Sequence, residues 1–419
     1  VASAISVERA RELVLATTPA PQLETVALAR ALDRVLGEDV RSAVDVPHFD
    51  SSAMDGFAVP LQATHAAGGA DGGADEAVAG GDTELEIVDE ARAGAPAGVA
   101  VASGTAVRIS TGAAIPEGTG AVVPVERTSE TGGGRVRVEA VVSGANVRPR
   151  GEVLRGGERV LRGGDVLGPA AVAVLATAGR AEVRCARQPR LAVVATGDEL
   201  VEPGGALGPG EIWSSNPLAL AGQATHAGAV VERIETVADD AGATRAAIGA
   251  AVGAADVVCV SGGVSVGPHD HVKPAFAALG VEQVFWGVAL RPGRPTWFGV
   301  AADGHTLAFG LPGNPVSAMV CFHLFVAPAL RALQGADPGA TRGSAVLDAA
   351  IARQRSRDEA VRCRARQALD GPHVAPTGPQ GSHVVTSMVA ADCLALVPAG
   401  GGELAAGERV AVEWLPGRQ

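Results

Sequence analysis

The sequence has one lysine, Lys273, among its 34 basic residues. We read the arginine excess as base composition without mechanism. Cysteine is sparse: Cys185, Cys259, Cys321, Cys363 and Cys393 lie far apart, odd in number and with no CxxC. That excludes a disulfide frame or a zinc knuckle and predicts reduced, buried thiols of a cytosolic chain. No apolar run is long enough to span a membrane. The longest, over 316–330, is interrupted by Ser317, His323 and Pro328, which predicts a core helix. No targeting signal opens the sequence, so a cytoplasmic location without a membrane is expected. Excess positive charge is also missing. The net charge of −12 argues against a nucleic-acid surface but leaves room for a basic pocket. No Ser/His/Asp order is readable. His269, His271, His305 and His383 lack zinc-ligand spacing and are expected at the surface or supporting other groups.

A chain of 419 residues suggests about two to four domains. The stretch 255–279 organises it. Residues 256–260 are apolar and β-branched, the pattern of a strand buried on both faces. Ser261, Gly262 and Gly263 follow, with Gly267 and Pro268 closing a loop. Asp270 precedes a helical pattern that tolerates Pro274 only in its first turn. Strand, glycine turn and helix start together make an anion site, here carrying Ser261, Ser265, Asp270 and Lys273.

Upstream, 6–16 reads as a helix capped by Ser6, and 26–36 as a second helix ending at Gly37. The stretch 45–59 is too polar and broken for a core element. Its Asp50, Ser51, Ser52 and Asp55 read as a turn or a cleft-lining loop. Residues 61–82 read as a flexible insertion. Strands are expected at 107–109, 121–125 and 135–142, with Ser110 and Thr111 at a strand end, and a short helix at 170–178.

From Arg190 strands alternate with helices, the signature of a doubly wound, mostly parallel sheet. Ligands sit beyond the carboxyl ends of such strands. Thr196, Asp198, Glu199, Asn216, Asp239, Ser261, Asp270 and Asn314 all fall there. Ser214, Ser215 and Asn216 are expected to cap one helix, and Asp239-Asp240 the next. Residues 335–342 read as a Pro/Gly-bearing linker and 345–419 as a further small β domain. Carboxylates (Asp55, Glu199, Asp239, Asp270) among cations (Lys273, Arg291, Arg294) and glycine N–H donors point to a hard divalent cation such as Mg²⁺ binding a substrate phosphate. Metal-assisted chemistry on a phosphorylated or nucleotide-linked molecule and a simple anion-binding module both remain open.

Five motifs in order then carry a resemblance: Phe49-Asp-Ser-Ser-Ala-Met-Asp-Gly-Phe-Ala-Val59, Ile109-Ser-Thr-Gly-Ala-Ala-Ile-Pro116, Ala195-Thr-Gly-Asp-Glu-Leu200, Ser261-Gly-Gly-Val-Ser-Val-Gly267 with Asp270, and Leu311-Pro-Gly-Asn-Pro-Val-Ser317. The chain resembles the MoeA and gephyrin E-domain family of molybdenum-cofactor biosynthesis over essentially its whole length. The resemblance implies an α/β multidomain subunit. A molybdopterin-binding central domain (185–334) would join an elongated N-terminal domain (1–47 plus 146–184), an inserted β domain (48–145) and a C-terminal β-barrel domain (335–419). It implies a homodimer whose active cleft is shared between subunits. It implies a Mg²⁺-assisted reaction in which adenylated molybdopterin is hydrolysed, AMP leaves and molybdate enters the dithiolene. The functional residues would be Asp55, Thr111, Glu199, Asp239 and Asp270, with Glu199, Asp239 and Asp270 at the metal. Substrate binding would fall to Ser261, Gly262, Gly263, Ser265, Lys273, Arg291, Arg294, Pro312, Gly313, Asn314, Pro315, Arg362 and Ser382. Expected partners are molybdopterin adenylyltransferase and apo-molybdoenzymes, in transient contact. Three departures stand out: Val153 where the family often has an acid, Gly287 where lysine is common, and arginines for the lysines of its KPGKP segment. A molybdopterin adenylyltransferase would be the central domain alone, and a gephyrin-like scaffold would carry a second Ser-Gly-Gly domain. Neither pattern is present; a carrier that binds the pterin without turnover is the remaining alternative.

Overall fold

In the computed structural model the run expected over 256–260 is the strand Val257–Ser261, buried along its whole length. The structure describes residues 4–61, 64–65, 82–265 and 270–416. Most of the expected insertion, together with Gly267, Pro268 and His269, lies outside them. The chain divides into two compact units.

The first unit comprises Val1–Glu38, Gly163–Gly168 and Glu182–Gln419. Its six-stranded sheet has the order Val230–Val237, Arg190–Thr196, Val257–Ser261, Leu307–Leu311, Trp297–Val300, Glu282–Trp286. The first four strands are parallel, Trp297–Val300 runs against them, and Glu282–Trp286, antiparallel to it, returns to their direction, which is the mostly parallel sheet expected. Successive side chains go to opposite faces. Leu191, Val193, Val257 and Cys259 pack with the helices Asn216–His226 and Pro315–Cys321, while Ala192, Val194, Val258 and Val260 pack with Ala241–Ala254 and Val272–Ala278. Helices thus cover both faces.

The apolar segment Pro315–Leu333 is 19 residues at mean hydropathy 1.7. By length and composition it could cross a membrane, contrary to the expectation that no run is long enough. It is 78% buried inside the protein, as a core helix should be. Its middle turn, Phe322–Val326, widens to π geometry. Pro328 has no N–H to return to the Leu324 carbonyl, and that carbonyl accepts from Arg11 Nε at 3.2 Å. Arg11 sits on the helix Val7–Thr17, which Ser6 caps through the Arg9 N–H as expected.

The helix expected over 26–36 does not form. Residues Leu23–Ala27 are a strand paired with Glu182–Ala186, followed by a single turn at Leu28–Arg30. Leu36 and Gly37 bond to the same partner region. A neighbouring backbone with free hydrogen-bonding groups outweighs a modest local helix preference.

The C-terminal strands Arg342–Leu347, Asp358–Ala368, Gly371–Pro376, Cys393–Val397 and Arg409–Trp414 pair in a ring, since Asp358–Ala368 bonds to Cys393–Val397 as well as to Gly371–Pro376. The result is a closed five-stranded barrel with no free edge. All five cysteines are free and buried.

The second unit comprises Asp39–Arg162 and Pro169–Ala181. Its sheet has the order Thr119–Pro124, Gly56–Pro60, Thr105–Ile109, Thr83–Ala91, Arg135–Val138, Thr128–Gly132. The stretch 45–59 is therefore not free of core elements: Gly56–Pro60 is a fully buried inner strand. Gly56 allows it, because a Cβ there would lie 2.0 Å from the Val123 carbonyl oxygen.

Candidate functional site

The carboxyl ends of the parallel strands open into a cavity of about 730 Å³. The loop after Val257–Ser261 forms one wall. Gly262 has φ +97° and its Cβ would meet the Thr196 carbonyl oxygen at 2.6 Å. Gly263 has φ +60° and its Cβ would meet Val272 at 2.7 Å. Only glycine fits either position, so the loop backbone stands close to the cavity; the Gly262 N–H donates to the Leu311 carbonyl (3.1 Å), which ties the loop to the next strand. Asn216 locks this wall. Its Nδ2 donates to Ser261 Oγ (2.8 Å) and to the Gly313 carbonyl (2.7 Å), and Ser261 Oγ donates to the Pro312 carbonyl (3.3 Å). The expected cap role of Ser214, Ser215 and Asn216 is not realised, because no cap side chain bonds to that helix end. Of Asp239-Asp240 only Asp240 caps, accepting from the Ala243 N–H.

Glu199, Asp239 and Asp270 line the same cavity with Ser265, Asn314 and Pro315. Glu199 folds back over Gly197, where a Cβ would lie 2.6 Å from its carboxylate oxygen. The Asp239 N–H donates to Asp198 (3.0 Å). Among the described residues no three His, Cys, Asp or Glu side chains form a ready metal cage. An open wall of carboxylates still fits Mg²⁺, which keeps water and takes substrate phosphate oxygens alongside one or two carboxylates.

A second cavity of about 390 Å³ shares Pro295 and His383 with the first. Arg291, Arg294, Arg357, Ser382 and Gly381 line it. Arg291 pairs with the buried Glu359 at 3.4 Å, leaving the wall net positive.

Two expected ligands take other positions. Lys273 lines neither cavity: its Nζ donates to the Ser265 carbonyl and sits 4.3 Å from the Trp286 ring centre. Since the Trp286 indole N–H donates to the Val264 carbonyl (3.1 Å), the pair holds the glycine loop from behind. Arg362 is fully buried and donates to Ser387 Oγ (3.1 Å) and the Gly381 carbonyl (3.2 Å), supporting the segment that carries Ser382. Burial pushes its pKa down.

Asp55 and Thr111 belong to the second unit. The Thr111 N–H donates to Asp55 Oδ1 at 2.6 Å, and that bond, with one from the Thr111 side chain, holds the carboxyl below the usual aspartate range. Asp55 is therefore an anion at neutral pH. The sequence reading missed Trp213 and Arg357, which line the first and second cavities. Trp213 was discoverable, as a rare aromatic just before Ser214-Ser-Asn216. Arg357 was one arginine among many.

A glycine-forced loop and three carboxylates, next to an arginine-lined recess at the strand ends of a doubly wound sheet, define an α/β protein with a polar, charged site at its sheet edge. Comparison with known proteins narrows this. The chain matches the MoeA N-terminal region (domain I and II) over residues 5–179, a probable molybdopterin-binding domain over 192–332 and the MoeA C-terminal region (domain IV) over 344–415. It is 34% identical over 389 residues to a molybdopterin molybdenumtransferase of Staphylococcus aureus, covering 92% of this chain and 90% of that one. It is 36% identical over 401 residues to molybdopterin molybdenumtransferase 2 of Mycobacterium tuberculosis, covering 93% and 94%. The crystal structure of a molybdopterin biosynthesis MoeA protein from Pyrococcus horikosii superposes with a TM-score of 0.81 at 30% identity, over 99% of this chain and 100% of that one. The chain belongs to the MoeA family of molybdopterin molybdenumtransferases.

Proposed function

We propose that this chain is a molybdenumtransferase of molybdenum-cofactor biosynthesis. It hydrolyses the anhydride of adenylated molybdopterin, releases AMP and inserts molybdate at the dithiolene. The observation that carries the reading is the pair of adjoining cavities, one suited to phosphate and cation, the other to a separate oxyanion. In this reading the glycine loop, with the Gly263 N–H as a donor, holds the anhydride phosphates. Among Glu199, Asp239 and Asp270, one or two carboxylates at a time would hold a Mg²⁺, which would neutralise charge on those phosphates. A water oxygen bonds to the pterin-side phosphorus as the bridging P–O bond breaks; the bridging oxygen leaves on AMP, the water oxygen stays on the molybdopterin phosphate, and the displaced proton passes to solvent. Arg291, Arg294 and Ser382, now with Arg357, would hold molybdate by charge-assisted hydrogen bonds. Asp55 and Thr111 are assigned to the same reaction from the family resemblance, which also supports a homodimer, a cytoplasmic location and transient contacts with other proteins of the pathway. We retain four domains, at 1–47 with 146–184, 48–145, 185–334 and 335–419. The separate sheets and the bounds of the family matches support that division.

The test is AMP release from adenylated molybdopterin with Mg²⁺ and molybdate. Release should depend on molybdate and fall by roughly 100-fold in Asp270→Ala and Asp55→Ala. Arg294→Ala should raise the molybdate concentration required. Tight binding by the wild type with no AMP release would sink the enzyme reading in favour of a carrier.

A further inference from the structure

Trp213 is unlike the other three tryptophans. Trp297 is buried and stacked on Phe276, with ring centres 4.5 Å apart and planes 4° from parallel. Trp286 lies under Lys273, and Trp414 packs on the barrel core. Trp213 is 52% exposed, yet it lines the cavity that holds Gly262, Gly263, Glu199, Asp239 and Asp270.

Its position is well held. The strand Ile212–Trp213 pairs with Leu200–Val201, directly after Glu199. The indole N–H donates to the Gly205 carbonyl at 2.9 Å, and the next residue, Ser214, donates its N–H to Val201 at 2.8 Å. With the polar edge of the ring satisfied, the indole offers an apolar π surface. One cavity therefore joins an anion-holding loop to a preorganised aromatic surface. The ligand that fits both carries phosphate at one end and a flat ring at the other.

We propose that Trp213 is the platform on which a planar nitrogen heterocycle of the substrate stacks, either the adenine of the adenylyl group or the pterin. This rests on the molybdenumtransferase reading. It assigns Trp213 a binding role at the ring and none in the bond-breaking step.

The experiment measures affinities of the full-length protein for AMP, neopterin and ribose 5-phosphate by calorimetry, in wild type, Trp213→Ala and Trp213→Phe, with AMP release assayed alongside. A half-exposed side chain leaves the variants able to fold, which thermal melts check. Trp213→Ala should weaken AMP binding roughly 5- to 150-fold, the range for loss of one stacked base. Trp213→Phe should recover most of the loss, and ribose 5-phosphate affinity should not change. The same pattern with neopterin in place of AMP supports the platform and makes the pterin its occupant. Unchanged affinity for both rings, with AMP release intact, overturns the platform and leaves the molybdenumtransferase reading standing. Equal weakening of AMP and ribose 5-phosphate shows a structural role and also overturns it. A wild type that neither binds AMP nor releases it in the presence of molybdate overturns both readings.

Discussion

Gly262 and Gly287 are constrained in different ways, and that sets what substitution does at each. At Gly262 a left-handed backbone coincides with a close approach to the Thr196 carbonyl. Gly262→Ala should cost about 1–3 kcal/mol in urea unfolding and weaken AMP binding, because the loop must move away from the cavity. Gly287 has φ +91° but open space around it, with no atom closer than 3.8 Å to a Cβ. Placing a side chain there, by Gly287→Lys, should cost roughly 1–2 kcal/mol from backbone strain alone. Equal stability of that variant and the wild type would show that the strain is absent. Asn216 acts through its neighbours. Asn216→Ala leaves Ser261 Oγ and the Gly313 carbonyl without their shared donor, so AMP affinity should fall; calorimetry reads the change.

At the scale of elements, one buried carboxylate joins three parts of the first unit. Glu413, on the last barrel strand, pairs with Arg11 of the first helix and Arg342 at the barrel entrance, and accepts from Thr341 Oγ1 at 2.9 Å. Arg11 also satisfies the carbonyl that Pro328 leaves open in the core helix. Glu413→Ala strands a buried guanidinium and should destabilise the unit by about 3–5 kcal/mol in chemical denaturation. Arg11→Met with Glu413→Leu, which removes both charges, should cost much less. A single variant as stable as the double would show that the pair is not coupled.

Across the whole molecule, two histidines tilt stability in opposite directions with pH. Burial, then the charges of Arg331 and Arg11, push His323 down to about 3. As pH falls below the unfolded value of about 6.5 the unfolded chain takes the proton first. The stability present above that pH is then lost at about 1.4 kcal/mol per unit, until the folded value is reached. His373 is raised by its hydrogen bond to Asp348, then by Asp370. Its contribution is present below about 6.5 and is lost as pH rises through the folded value. Urea midpoints against pH should peak near neutrality. His323→Phe should flatten the acid side, and His373→Asn the alkaline side. A variant curve parallel to wild type would refute the assignment for that histidine.

The sequence by itself determined the central sheet, its anion loop and most of the cavity wall. Buried parallel strands write long apolar runs, and a loop that must touch backbone writes glycine at Gly262 and Gly263. Ser6 and Asp240 were readable as caps because a cap bonds within its own turn. The family was legible too, from five short motifs in order. Only the tertiary structure decided that 23–27 is a strand, that Gly56–Pro60 runs inside a sheet and that the last strands close into a ring. Each depends on which distant backbone offers free hydrogen-bonding groups. It also decided that Lys273 and Arg362 brace loops from behind while Trp213 is among the residues lining the cavity. Residue type sets what a side chain can bond to. Which partner it meets is settled by packing between segments far apart in the chain, and local pattern carries no record of that choice.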